Sequence, residues 1–79
     1  MEEVKKKLID FLKENFIMPE NFSEEDSFLE KGIIDSTGVI ELVTFLEESF
    51  DIKINDEEII PENLDSIKNI IDFLKFKKN

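Results

Sequence analysis

Few residues of this chain could do chemistry, and the most telling is a serine. Ser36 follows Asp35 at the head of an apolar-patterned run, Thr37-Gly38-Val39-Ile40-Glu41-Leu42-Val43, and both glycines, Gly32 and Gly38, lie beside it. Asp and Ser are ordinary helix-start residues, because their side-chain oxygens accept hydrogen bonds from N–H groups that a first turn leaves unpaired. Nothing in the chain would activate the hydroxyl. With no His and no Cys, neither a Ser–His nor a Cys–His relay can be built. There is no Gly-rich phosphate loop. The acid cluster Asp51 to Glu58 lacks the mid-loop glycine and alternating oxygen ligands of an EF-hand. The remaining carboxylates read as a solvated acidic face. The chain reads as a protein that is not an enzyme.

Composition narrows the class further. Seventy-nine residues with 41% hydrophobic content suit one small globular domain, residues 1–79, whose bulk comes from eight Phe. Twenty acids against ten lysines give a net charge of −10. That argues against nucleic acid and anionic membranes, which require basic patches, and for partners with basic surfaces that such a field would steer. The acidic N-terminus Met1-Glu2-Glu3 has no apolar region after it, and no apolar run approaches a bilayer span. A cytoplasmic monomer is the expectation.

The elements that must position Ser36 are helical. Val4, Leu8, Phe11, Leu12 and Asn15 share one face of a helix over Glu2 to Asn15, and Pro19 bars its continuation. Met18 to Ile34 reads as a long connection with one or two short helical turns, pinned by Phe28 and Leu29; such length usually has a functional reason. A second helix runs from Ser36 to Phe50. Val39, Leu42, Val43, Leu46 and Phe50 form its inward stripe, Thr37, Glu41, Thr44 and Glu48 its outward face, with Ile40 and Glu47 on the flank. Asn55 to Glu58 fits a capping box opening a helix that Pro61 must cut short. Asp65-Ser66 caps a last helix, with Ile67, Ile70, Ile71 and Leu74 facing inward and lysines at its C-terminal end. No segment alternates as a strand does. The fold class is all-α, a small bundle of three main helices plus one short helix, with Ile54 added to the core.

Asp35-Ser36-Thr37-Gly38-Val39-Ile40-Glu41-Leu42 resembles the signature of the acyl carrier protein family, and the likeness extends to length, acidity and helix order. The resemblance implies that Ser36 bears 4′-phosphopantetheine, transferred from coenzyme A by a separate Mg²⁺-dependent phosphopantetheinyl transferase. Asp35 is then both cap and motif residue. A phosphodiester at that point suits a helix N-terminus, where free N–H groups and the dipole favour an anion. The resemblance also makes Ile40, Glu41, Thr44, Glu47 and Glu48 a docking face for acyl-loading and acyl-processing enzymes with basic surfaces. In this family a long acyl chain can slide among the helices, although the same apolar residues are needed for packing in any case.

Departures from the family pattern carry their own implications. Thr37 stands where fatty-acid carriers commonly have Leu, Thr44 where an apolar residue is frequent, and Gly38 where a polar or acidic residue is usual. Gly38 suggests close approach by a partner or by the arm. Together they point to a specialised biosynthetic pathway. Glu30 and Asp35 match one cation-binding group of the family, and Glu47, Asp51 and Asp56 the other. Gly38 and Lys53 each remove a carboxylate from these groups, so no firm metal site is assigned. A peptidyl or D-alanyl carrier is the alternative, and an acidic helical adaptor with no prosthetic group the more remote one.

Overall fold

The computed structural model describes residues 2–78, so Met1 and Asn79 lie outside the described residues. The fold is all-α: α1 (Glu2–Asn15), α2 (Ser36–Phe50), a single 3-10 turn (Asp56–Glu58), α3 (Pro61–Leu64) and α4 (Ile67–Lys78). No described helix is long and apolar enough to cross a membrane.

Helical spacing makes the core. Leu8 and Leu12 of α1, Leu42 and Leu46 of α2, and Ile70 and Leu74 of α4 are sealed from solvent in one cluster, joined by Phe28, Ile34, Ile54 and Leu64 from the connections and α3. Each such side chain contributes roughly 1.5–3 kcal/mol by leaving water. Three members of the expected core, Val39, Phe50 and Ile71, are only half-buried against this cluster, whereas Phe73 is fully inside it. Phe45 also turns inward. It stacks on Phe11 with ring centroids 4.1 Å apart, and Phe50 meets it edge-on at 5.9 Å. The aromatic rings thus widen the seam between α1 and α2 beyond an aliphatic stripe.

Other expectations are corrected by the packing. Asn15 does not join the inner face of α1; it is exposed, and its amide donates to the Phe11 carbonyl at 2.9 Å. Residues 16–35 hold only isolated turns between extended stretches, one of them a helical turn closed by Lys31 N–H to the Ser27 carbonyl at 3.1 Å, in line with the expected connection. Phe28 pins this connection at 1% exposure, stacked against Phe22 at 5.5 Å, but Leu29 is 53% exposed and anchors nothing in the core. Two backbone bonds tie the connection to the far end of the chain, Phe28 N–H to the Asp65 carbonyl at 2.8 Å and Lys68 N–H to the Glu24 carbonyl at 3.0 Å. The capping box at Asn55 to Glu58 opens only the 3-10 turn, which ends before Pro61 as expected, and Pro61 then opens a further short helix, α3, where its missing N–H is no loss.

The capping carboxylate of Glu58 does reach back, accepting from Asn55 N–H at 2.9 Å, and it also pairs with Lys77 at 2.9 Å. The Asn55 N–H bond first, and then the Lys77 ammonium, hold its carboxyl below the ordinary glutamate range. Lys77 in turn sits 5.9 Å from the centre of the Phe73 ring, so the end of α4 is fastened to the 3-10 turn.

Candidate functional site

The connection that reaches Ser36 is fixed on both sides. Gly32 takes a left-handed φ of 68° to turn the chain, and Ile34 then drops into the core. Asp35 is extended, with φ −101° and ψ −173°, and its Oδ1 accepts the Gly38 N–H at 2.8 Å. The cap is therefore Asp35 alone. Ser36 is the first residue of α2 and is exposed, outside the capping bond. Ile34 and Val39 border the same cleft on either side of it, the positions of a hydrophobic staple that sets the angle of entry into α2. A rigid turn thus holds an unengaged hydroxyl at the positive end of a helix dipole, a geometry suited to an anionic substituent.

Gly38 has a different purpose from the one expected. It is buried, and a Cβ built on it would lie 2.9 Å from a ring carbon of Phe16 and 3.0 Å from a methyl of Ile34. Its close approach is to this chain's own side chains, not to a partner or an arm. The missing Cβ lets Phe16, at the end of α1, lie against the first turn of α2.

The outward face of α2 carries Thr37, Glu41, Thr44 and Glu48, all exposed, and Ile40 at 68% exposure. No lysine offsets these acids within the helix. Thr44 bonds through its hydroxyl to the Ile40 carbonyl at 3.1 Å, leaving its methyl as the group offered outward. Glu47 is placed apart from this set. It is half-buried, and its Oε2 accepts the Ile54 N–H at 2.9 Å, so it braces the loop after α2. Among the described residues no group of three or more acidic side chains is placed to hold a cation, Glu47 with Asp51 and Asp56 included.

Ile34 and Val39, on either side of Ser36 in the sequence, line an apolar cleft of about 90 Å³ together with Phe28, Ile59, Ile60 and Leu64. Sequence reasoning missed the part of Ile59 and Ile60 in this lining. Ile59 and Ile60 sit between two short elements with no periodicity to mark them, and their only signal was two adjacent apolar residues before Pro61.

No family model matches the chain. Curated relatives do. It is 40% identical over 63 residues to an acyl carrier protein of Buchnera aphidicola subsp. Acyrthosiphon pisum (strain Tuc7), covering 80% of this chain and 75% of that one. The Buchnera aphidicola strain APS protein of the same name gives the same figures. An acyl carrier protein of Wolinella succinogenes is 37% identical over 62 residues, covering 78% of this chain and 79% of its own. Identity at this level across most of both chains, on an all-helical fold with an exposed Asp-capped serine at the head of α2, shows that the chain belongs to the acyl carrier protein family.

Proposed function

We propose that residues 1–79 form a single carrier domain that holds an acyl cargo as a thioester on 4′-phosphopantetheine attached to Ser36. Members of this family are carriers, not enzymes, and bear that group covalently. The observation that supports Ser36 as the attachment point is the division of labour at the helix start. Asp35 takes the cap through its bond to Gly38 N–H, and Ser36 stands exposed one residue later. The residues fit the group: a phosphodiester there meets a helix N-terminus, and no neighbour of opposite demand competes for the hydroxyl. When bound, the group supplies a terminal thiol that carries the cargo. The chain's own part is to hold the attachment point rigid and exposed, between residues that line an apolar cleft.

Glu41 and Glu48, with Ile40 and the Thr44 methyl between them, form the docking surface for partners with basic faces: the phosphopantetheinyl transferase and the acyl-loading and acyl-processing enzymes. Complementary charge there speeds encounter and selects among partners more than it prolongs binding. Glu47 contributes charge but not a free carboxylate, because its oxygen is held by the loop. Such a carrier works in the cytoplasm, as a monomer. Thr37 and Thr44 still favour a specialised pathway; Gly38 no longer bears on it, since internal packing accounts for it.

Intact mass after incubation with coenzyme A and a phosphopantetheinyl transferase tests the reading. A gain of one phosphopantetheine, abolished in Ser36→Ala, is expected. Failure to gain it with several transferases overturns the proposal and leaves an acidic helical adaptor. Loading by an adenylating enzyme instead of acyl-loading enzymes would make the cargo an amino acid, that of a peptidyl or D-alanyl carrier.

A further inference from the structure

One polar residue lines the apolar cleft, and it is bonded to three consecutive residues, two of which line the cleft as well. Asp65, between α3 and α4, accepts the Ser27 hydroxyl on Oδ2 and the Leu29 N–H on Oδ1 at 3.0 Å, while its carbonyl accepts the Phe28 N–H at 2.8 Å. The Ser27 oxygen also accepts from Glu30 N–H at 3.1 Å, so the serine is held from both sides. Phe28 and Leu29 line the cleft from one segment, Leu64 and Asp65 from another. The lining thus draws on segments distant along the chain, Phe28 and Leu29 on one side of the sequence and residues 59–65 on the other, and Asp65 clasps them together.

This clasp has a consequence for what the cleft can hold. Its volume is about 90 Å³. A dry cavity of roughly 150 Å³ accepts benzene, six carbons, so this one accommodates about three or four. A longer chain must part the lining segments, and parting them breaks hydrogen bonds to a half-buried carboxylate, which would be left with lone pairs unsatisfied. Apolar contact alone would yield by small rearrangements. A carboxylate gripping two donors resists until it lets go.

We propose that the Ser27–Asp65 clasp is a specificity-determining device that limits the cargo sheltered in the cleft to short acyl chains. The inference rests on the reading that Ser36 carries a thioester-linked cargo. Its test is the melting temperature of the loaded chain relative to the unacylated, phosphopantetheine-bearing form, over a series of straight acyl groups from acetyl to dodecanoyl. In the wild type the gain should rise to about butyryl and then stay level, since the added methylenes remain in water. In Ser27→Ala, which keeps Asp65 and its bond to Leu29, and in Asp65→Asn, the gain should continue to octanoyl or beyond. A wild-type gain that climbs steadily to dodecanoyl, no gain at any length, or variants that level off where the wild type does would each overturn the proposal. Ser27→Ala carries the test if Asp65→Asn proves too unstable to load. Failure of the function itself is a separate outcome, seen earlier as absence of the phosphopantetheine mass.

Discussion

Of the three Asp-Ser dipeptides, two, at 35–36 and at 65–66, stand in front of a helix, and these two copies are used in opposite ways. At α2 the aspartate is the cap and the serine is the exposed first helical residue. At α4 the helix starts one residue later, so Ser66 occupies the capping position. Its Oγ accepts the Asn69 N–H at 3.0 Å, and the serine is 5% exposed. Asp65, displaced one place outward, is then free to clasp Ser27 and Leu29. A shift of one residue relative to the helix start decides whether the hydroxyl is a structural acceptor or a group available to another protein.

The largest effect that could break this comparison is the choice of serine by a phosphopantetheinyl transferase. Ser36→Ala should lose the mass gain entirely and Ser66→Ala should keep it. Modification of Ser66, or retention in Ser36→Ala, would mean that the register argument is wrong. Stability should show the reverse order. Replacing the cap in Ser66→Ala should cost about 1–2 kcal/mol by urea denaturation, whereas Ser36→Ala, on the surface, should stay within about 0.5 kcal/mol of the wild type.

The first turn of α2 gives a sharper test. Gly38→Ala gains helix propensity of up to about 1 kcal/mol but forces a methyl against Phe16 and Ile34, an overpacking cost of about 1–3 kcal/mol. A net loss of about 1 kcal/mol is expected. In a Phe16→Leu background, where the ring edge is gone, the same substitution should turn neutral or stabilising. If Gly38→Ala stabilises the otherwise unaltered chain, the glycine is not there for Phe16.

Smaller effects concern charge. Association with a basic partner enzyme should weaken steeply from low to physiological salt, and Glu41→Gln with Glu48→Gln should flatten that dependence; a wild-type affinity that ignores salt would remove the docking face. The smallest expected effect is at Glu58, whose folded-state pKa is depressed. Its contribution to stability is full above the ordinary glutamate value of about 4.3 and is lost as pH falls through the lower folded value, because the unfolded chain takes up the proton first. Comparing Glu58→Gln with wild type in thermal melts, the gap should be present near neutral pH and narrow on acidification below that range.

What the amino-acid sequence determined by itself was local. Apolar spacing at the helical period identified α1, α2 and α4 and most of their buried residues, because a stripe repeating at roughly 3.6 residues has to face the core wherever the helix lies. Ser36 and its motif were legible for the same reason: cap, hydroxyl and helix start lie within a few residues of one another. Tertiary structure alone decided the features made by segments distant along the chain. Nothing near Gly38 announces that Phe16 lies on its Cα, nothing near Asp65 points to Ser27, and nothing near Glu47 points inward to the Ile54 amide. Leu29 and Phe28 are both apolar neighbours in the sequence, yet only the fold turns one into the core and leaves the other out. Which of the two helix-start Asp-Ser pairs presents its serine rests on one residue of helix register. A cap is a local hydrogen bond, but where the helix begins is settled by how its buried face docks.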